Sequence, residues 1–166
     1  MFCCERVGLD FIETASARYS NSVDLAVSPE QVFEVLADAS TWPQWASIIT
    51  GVRWTSPEPR GVGTTRMVDM RAGMVGSEEF LAWEPHSRMA FRFNECSTRM
   101  VRAFAEDYRI VATDTGCRLT WTLALATTGP ARFSLPLAGP AMNAAFRRFL
   151  RNLRKLTDDR FDTVRS

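Results

Sequence analysis

A long amphipathic segment near the C-terminus, roughly residues 140–162, constrains this chain more than anything before it. Met142, Phe146, Phe149, Leu153 and Leu156 recur at steps of four, three, four and three. That spacing draws one apolar stripe along an α-helix. Arg147, Arg148, Arg151, Arg154 and Lys155 fill most of the other face. Burying five such apolar side chains contributes roughly 1.5–3 kcal/mol each before entropy is counted. A helix of this length, arriving after a series of strands, needs a broad apolar surface to lie on.

The upstream sequence supplies that surface as strands. Tyr19, Val23, Leu25 and Val27 share one face of a first strand, with Ser20, Ser22 and Asp24 on the other. Ser28-Pro29-Glu30-Gln31 is a capping box with proline at the first helical position, and Val27 and Val32 form a hydrophobic staple. The spacing predicts a short helix that buries Val32, Phe33 and Leu36 and ends near residues 38–40. A second helical turn follows at Thr41-Trp42-Pro43-Gln44-Trp45, its two tryptophans on one face. Strands are then predicted over 48–55, 64–72, 75–83, 89–95, 101–113 and 118–126. Pro57-Glu58-Pro59-Arg60-Gly61, Ala72-Gly73, Glu84-Pro85-His86-Ser87 and Asp114-Thr115-Gly116 separate them as turns. Connections this short favour an antiparallel meander. The clearest alternation is in the last strand, where Leu119, Trp121, Leu123 and Leu125 oppose Arg118, Thr120 and Thr122. Phe133, Leu135 and Leu137 need burial and predict short helical turns before the long helix. Residues 1–17 lack periodicity and read as a poorly ordered arm or a short packed lead-in, followed by one domain over 18–162.

Composition narrows the functional classes. The chain has 166 residues, 46% hydrophobic and 23% charged, as expected of one soluble globular domain. Its net charge of +1 lacks the basic footprint of a nucleic-acid binder. The basic residues are nearly all arginine, a bias read as a feature of the genome rather than as a functional patch. The arginine face of the long helix is read as a solvated outer surface. Cys3, Cys4, Cys96 and Cys117 show no C-x-x-C spacing and His86 is the single histidine, so no metal or other cofactor is expected. His86 falls at a predicted hairpin tip, a poor position for a catalytic triad. Gly61 and Gly63 are followed by Arg66 where a dinucleotide fingerprint needs a third glycine. No apolar run approaches the ~20 residues of a membrane span, and the N-terminus, with Glu5 and Asp10, lacks a signal-peptide core. A cytoplasmic protein without stable membrane insertion is expected.

Several of these segments resemble the START-like superfamily, in particular its polyketide cyclase/dehydrase and lipid-transport group. They are Val23-Asp24-Leu25, the stretch from Ser28 to Asp38, Trp42-Pro43-Gln44-Trp45, Gly61-Val62-Gly63-Thr64, Trp83-Glu84-Pro85, and Gly116 to Thr122. The resemblance spans about residues 19–159. It implies an α+β helix-grip fold of the Bet v 1 type. In that fold a seven-stranded curved antiparallel sheet wraps a long C-terminal helix, two short helices join strands one and two, and an apolar cavity lies between sheet and helix. Members bind lipids, sterols, polyketides, plant hormones or quinones, and some are catalysts.

The candidate ligand-binding residues are Trp45, Met70, Trp83, Phe91, Phe93, Arg102, Phe104, Glu106, Tyr108, Trp121, Met142 and Phe146. Aromatic and methionine side chains at strand positions suit an adaptable apolar pocket. Trp42 and Trp45 read either as a core plug or as a wall at the cavity mouth. Strict alternation places Arg102, Phe104, Glu106, Tyr108 and Ile110 on one face. Arg102 and Glu106 then either anchor a polar group of a ligand or lie on a strand end twisted out to solvent, since a bare buried charge is costly. Asp69, Arg71 and Glu79 pose the same question. The expected partner is a hydrophobic small molecule, held by a carrier or sensor. The alternatives are a polyketide aromatase/cyclase or dehydrase, in which Tyr108 or Glu106 assists proton transfer, and a co-chaperone-like interaction domain. The ligand and the oligomeric state are not legible from the sequence.

Overall fold

The computed structural model describes residues 1–129 and 138–161. Seven antiparallel strands form one curved sheet in the order β2 (Ala17–Leu25), β8 (Gly116–Thr127), β7 (Val101–Thr113), β6 (Arg88–Cys96), β5 (Val75–Glu84), β4 (Thr65–Met70) and β3 (Ile49–Trp54). Strands three to eight follow one another as a meander. β2 closes the other edge by pairing with β8 over nine residue pairs, from Ala17–Leu125 to Leu25–Cys117. Helices α2 (Pro29–Ala37) and α3 (Trp42–Trp45) join β2 to β3. The long helix α4 (Gly139–Phe161) lies across the concave face. This is the helix-grip fold that the sequence implies. Phe133, Leu135, Leu137 and Asp162 lie outside the described residues.

Local chemistry explains the element ends. Ser28 accepts from the Gln31 backbone N–H while the Gln31 side chain accepts from the Ser28 N–H, so the predicted capping box is complete. Gly116 starts β8 at φ +148°, and a Cβ there would sit 2.1 Å from the Leu25 carbonyl oxygen. Only glycine allows β2 and the β7–β8 turn to approach this closely. Arg71–Gly73 forms a tight turn with Ala72 at φ 61°, which ends β4 two residues before the predicted limit.

Helix α4 departs from the stripe drawn on the sequence. Phe146, Leu150, Leu153 and Thr157 are its buried residues, whereas Met142, Phe149 and Leu156 are only partly covered. The helix is rotated so that the flank of the apolar stripe faces the sheet and one margin of it is left beside a hollow. Asn143 accepts from Asn21 at 2.8 Å and Asn152 donates to the Trp45 carbonyl at 3.1 Å. Arg160 reaches Glu34 at 2.6 Å.

Residues 1–16 pack against the convex side. β1 (Phe2–Cys3) pairs with the end of β6. β6 and β7 are paired only between Arg88–Arg109 and Arg92–Ala105. Beyond Arg92 the two strands splay, and the N-terminal segment wedges in: Cys4 N–H donates to Asn94 O at 2.9 Å and Glu5 N–H to Arg102 O at 2.7 Å. α1 (Leu9–Thr14) then lays Ile12, 1% exposed, on a floor of Ala82, Ala90, Ala103, Ala105, Ala124 and Ala126.

Candidate functional site

Large rings cover the concave face. Phe80, Phe91, Tyr108 and Trp121 stand on adjacent strands β5 to β8, and register sets them in a row. Phe80 pairs with Phe91 and Tyr108 with Trp121. Ring centroids step 5.4 Å from Phe80 to Phe91, 5.9 Å to Tyr108 and 5.4 Å to Trp121. Phe146 of α4 closes on Trp121 at 4.4 Å. Rings of this size meet edge to face or offset and do not fill space as interdigitated aliphatics would. Between them and α4 remains a cavity of about 390 Å³.

Nine of the twelve candidate residues line this cavity: Met70, Phe91, Phe93, Phe104, Glu106, Tyr108, Trp121, Met142 and Phe146. Three do not. Trp45 is fully buried behind the wall, packed on Trp42, Tyr108 and Trp121. Trp83 packs on Phe33, Trp54 and Phe80 beyond the far end. Arg102 points outward with its side chain 56% exposed and pairs with Glu5 at 3.1 Å. A register shift between Val101 and Ala103 is the cause. The bulge breaks the two-residue period, so Val101 and Phe104 face the cavity and Arg102 turns away. Strict alternation misassigned it. Glu79, for which the sequence leaves both readings open, lies away from the cavity, its carboxylate meeting Asn94 at 2.8 Å and Arg92 at 3.2 Å. His86 sits in the β5–β6 turn at positive φ and takes no part in the lining.

One end of the cavity is polar. Tyr108 Oη donates to Glu106 Oε2 at 2.6 Å, both side chains being buried. Glu78 also faces the cavity, and Arg66 Nε holds its Oε2 at 2.5 Å. Sequence reasoning missed this second pair. Arg66 has no solvent exposure; its guanidinium lies 4.2 Å from the centroid of Trp42 and 4.6 Å from that of Phe91. Ring faces stand where two guanidinium nitrogens find no hydrogen-bond acceptor. Burial drives the Glu106 carboxyl up to about 8, with Glu78 adding like-charge repulsion, while Tyr108 and Arg66 pull the other way. The Trp121 indole N–H also favours the Glu106 carboxylate, from outside hydrogen-bond geometry. Burial raises Glu78 too, opposed by its Arg66 partner. Tyr108 is pushed well above the usual phenol range by burial and by Glu106. Two carboxyls and one guanidinium thus share the site. Electroneutrality is reached when one carboxyl keeps its proton, and contact with Arg66 places the charge on Glu78.

The sequence pattern described as polyketide cyclase / dehydrase and lipid transport matches residues 16–157. The chain belongs to that family. Uncharacterised proteins of Mycobacterium bovis and Mycobacterium tuberculosis are 65% identical over 161 residues, covering 97% of this chain and 96% of theirs. A START superfamily protein from Mycobacterium smegmatis superposes with TM-score 0.65 at 16% identity, covering 89% of this chain and 98% of that one. The Zhui aromatase/cyclase from a Streptomyces species gives 0.67 at 17% identity, covering 86% and 94%. Likeness at these identities speaks to the fold. Among the described residues no helix is long and apolar enough to cross a membrane.

Proposed function

We propose that this family member binds an apolar small molecule between sheet and helix α4, as a carrier or sensor. The observation that carries this reading is the hollow itself: about 390 Å³ walled by rings and aliphatic chains, with Glu78, Glu106 and Tyr108 as the polar groups on its wall. A void of this kind forfeits packing energy, and a guest that leaves water for it recovers that loss. Rim residues Met70, Met74 and Met142 are partly exposed and flexible enough to admit guests of differing outline. Nile red, an uncharged apolar dye, is expected to bind one to one with blue-shifted emission. Ala145→Trp, which plugs the lining from α4, is expected to abolish binding while leaving the protein folded. Absence of stoichiometric uptake, or equal uptake by the plugged variant, sinks the reading.

A second reading is favoured by the Glu106–Tyr108 pair. A carboxyl that titrates at about 8 is matched to proton transfer near neutral pH. In a cyclase or dehydrase, Glu106 would give a proton to a carbonyl oxygen or take one from an adjacent carbon. Turnover of a poly-β-ketone that falls by roughly 10²-fold or more in Glu106→Gln would select this reading; unchanged turnover excludes it.

A further inference from the structure

Glu106 is placed to decide which apolar molecules stay in the cavity. Resting on the proposed binding function, we propose that its neutral acid selects an uncharged guest carrying a hydrogen-bond-accepting carbonyl, a ketone or ester, and that the same end of the cavity rejects carboxylates.

Glu106 lines the cavity, and the hydrogen bond it makes among the described residues comes in from Tyr108 at Oε2. The Tyr108 hydroxyl proton is therefore spent on Glu106. The acid proton of Glu106 itself has no protein acceptor among the described residues, so it is a donor left for a guest; the other is the unpartnered Trp121 indole N–H, which turns to the Glu106 carboxylate once that group ionises. An accepting oxygen on the guest completes the set; a plain hydrocarbon leaves the acid proton buried and unmatched, which costs affinity.

Charge decides the second half. The groups that face Glu106 are Glu78 from β5, Arg66 from β4, Tyr108 on its own strand and Trp121 from β8. The faces that α3, α4, β3 and β8 turn to the cavity carry no charged side chain. Arg66 is engaged by Glu78 at 2.5 Å and packed under Trp42 and Phe91, and it is not part of the cavity wall. A carboxylate guest would thus meet Glu78 and Glu106 with no cation presented to it, in a low-dielectric setting where like charges repel strongly. Ionisation of Glu106 removes the donor and adds a second negative charge, so carbonyl guests should leave as pH rises through its titration near 8.

Three naphthalene probes separate the terms: 2-acetylnaphthalene has the acceptor, 2-ethylnaphthalene lacks it, and 2-naphthoate is an anion of similar outline. Affinities are read by quenching of tryptophan fluorescence at pH 6.5 and 9.5. At pH 6.5 the ketone is expected to bind about tenfold tighter than the hydrocarbon and at least about tenfold tighter than the naphthoate. At pH 9.5 the ketone's advantage over the hydrocarbon is expected to vanish. Glu106→Gln, which keeps a donor and the acceptor for Tyr108 but cannot ionise, is expected to hold the ketone preference at both pH values. Glu78→Gln, which lifts the neighbouring negative charge, is expected to move the loss of preference to lower pH. Naphthoate binding as tightly as the ketone, or a wild-type ketone preference that survives unchanged at pH 9.5, overturns the proposal while leaving apolar binding intact. Failure of all three probes to bind overturns it together with the binding function.

Discussion

The two faces of the sheet are built from the same strands by opposite means. On the convex face β5, β6, β7 and β8 present Ala82, Ala90, Ala103, Ala105, Ala124 and Ala126, and α1 with the N-terminal segment lies directly on them. On the concave face those strands present Phe80, Phe91, Phe104, Tyr108 and Trp121, and α4 is held off by their bulk. Small side chains let an element approach until no space is left; large rigid ones prop it away. Both faces carry packing energy: the convex one is closed against α1, and the concave one is packed around Leu150 and Leu153 of α4. The concave face carries the hollow and, at one end, a buried ionic cluster that holds it in shape.

If this division is right, breaking the ionic cluster should cost most. Arg66→Ala leaves Glu78 buried without its partner, and a loss of about 3–5 kcal/mol in urea unfolding is expected. The double variant Arg66→Met with Glu78→Leu should recover most of that loss, because both charges leave together. Next in size comes the convex face. Ile12→Ala opens a cavity under α1 where nothing can collapse into it, for about 2–4 kcal/mol. Ala105→Leu forces a larger side chain beneath the same helix and should cost about 1–3 kcal/mol, with Nile red uptake on the opposite face unchanged.

A pH series sharpens the contrast further. The Glu106 carboxyl is raised in the folded protein from 4.5 to about 8. Between those values the folded state holds a proton that the unfolded state has lost, so stability falls as pH rises through the window and is level above it. A thermal midpoint that declines by about 3–5 °C per pH unit more in the wild type than in Glu106→Gln is expected. Equal slopes in the two proteins would place Glu106 in a wetter environment than the structure shows.

Much of this was legible in the chain, and the failures are instructive. Capping chemistry at Ser28–Gln31 is local, so helix α2 could be read without knowing the fold. The inward set Phe91, Phe93, Tyr108 and Trp121 followed from two-residue alternation in strands of regular register. Arg102 failed because a bulge between Val101 and Ala103 resets the alternation, and no residue pattern announced it. The Arg66–Glu78 pair is marked in the sequence by hairpin symmetry. A hairpin centred on Ala72 pairs residues whose numbers sum alike, so Arg66 must face Glu78 across β4 and β5. An arginine opposite a glutamate normally marks a solvated face; here the curl of the sheet turns that face inward under Trp42. The packing of residues 1–16 was hidden for another reason. Their site exists only because β6 and β7 splay beyond Arg92, which is a property of the sheet rather than of the segment.

The smallest effect tests the comparison most directly. Met142 lies on the margin of α4, half-buried at the cavity rim. A methionine on a closed surface costs about 2–5 kcal/mol when cut to alanine, because the neighbours lose contacts they cannot regain. At the rim of an existing hollow the removed atoms had empty space on one side, so fewer contacts are lost. Met142→Ala is therefore expected to cost under about 1 kcal/mol in urea unfolding while enlarging the cavity, so that bulkier uncharged dyes bind better. A loss as large as that of Ile12→Ala would mean that α4 is packed as tightly as α1, and that the two faces do not differ in the way their side chains suggest.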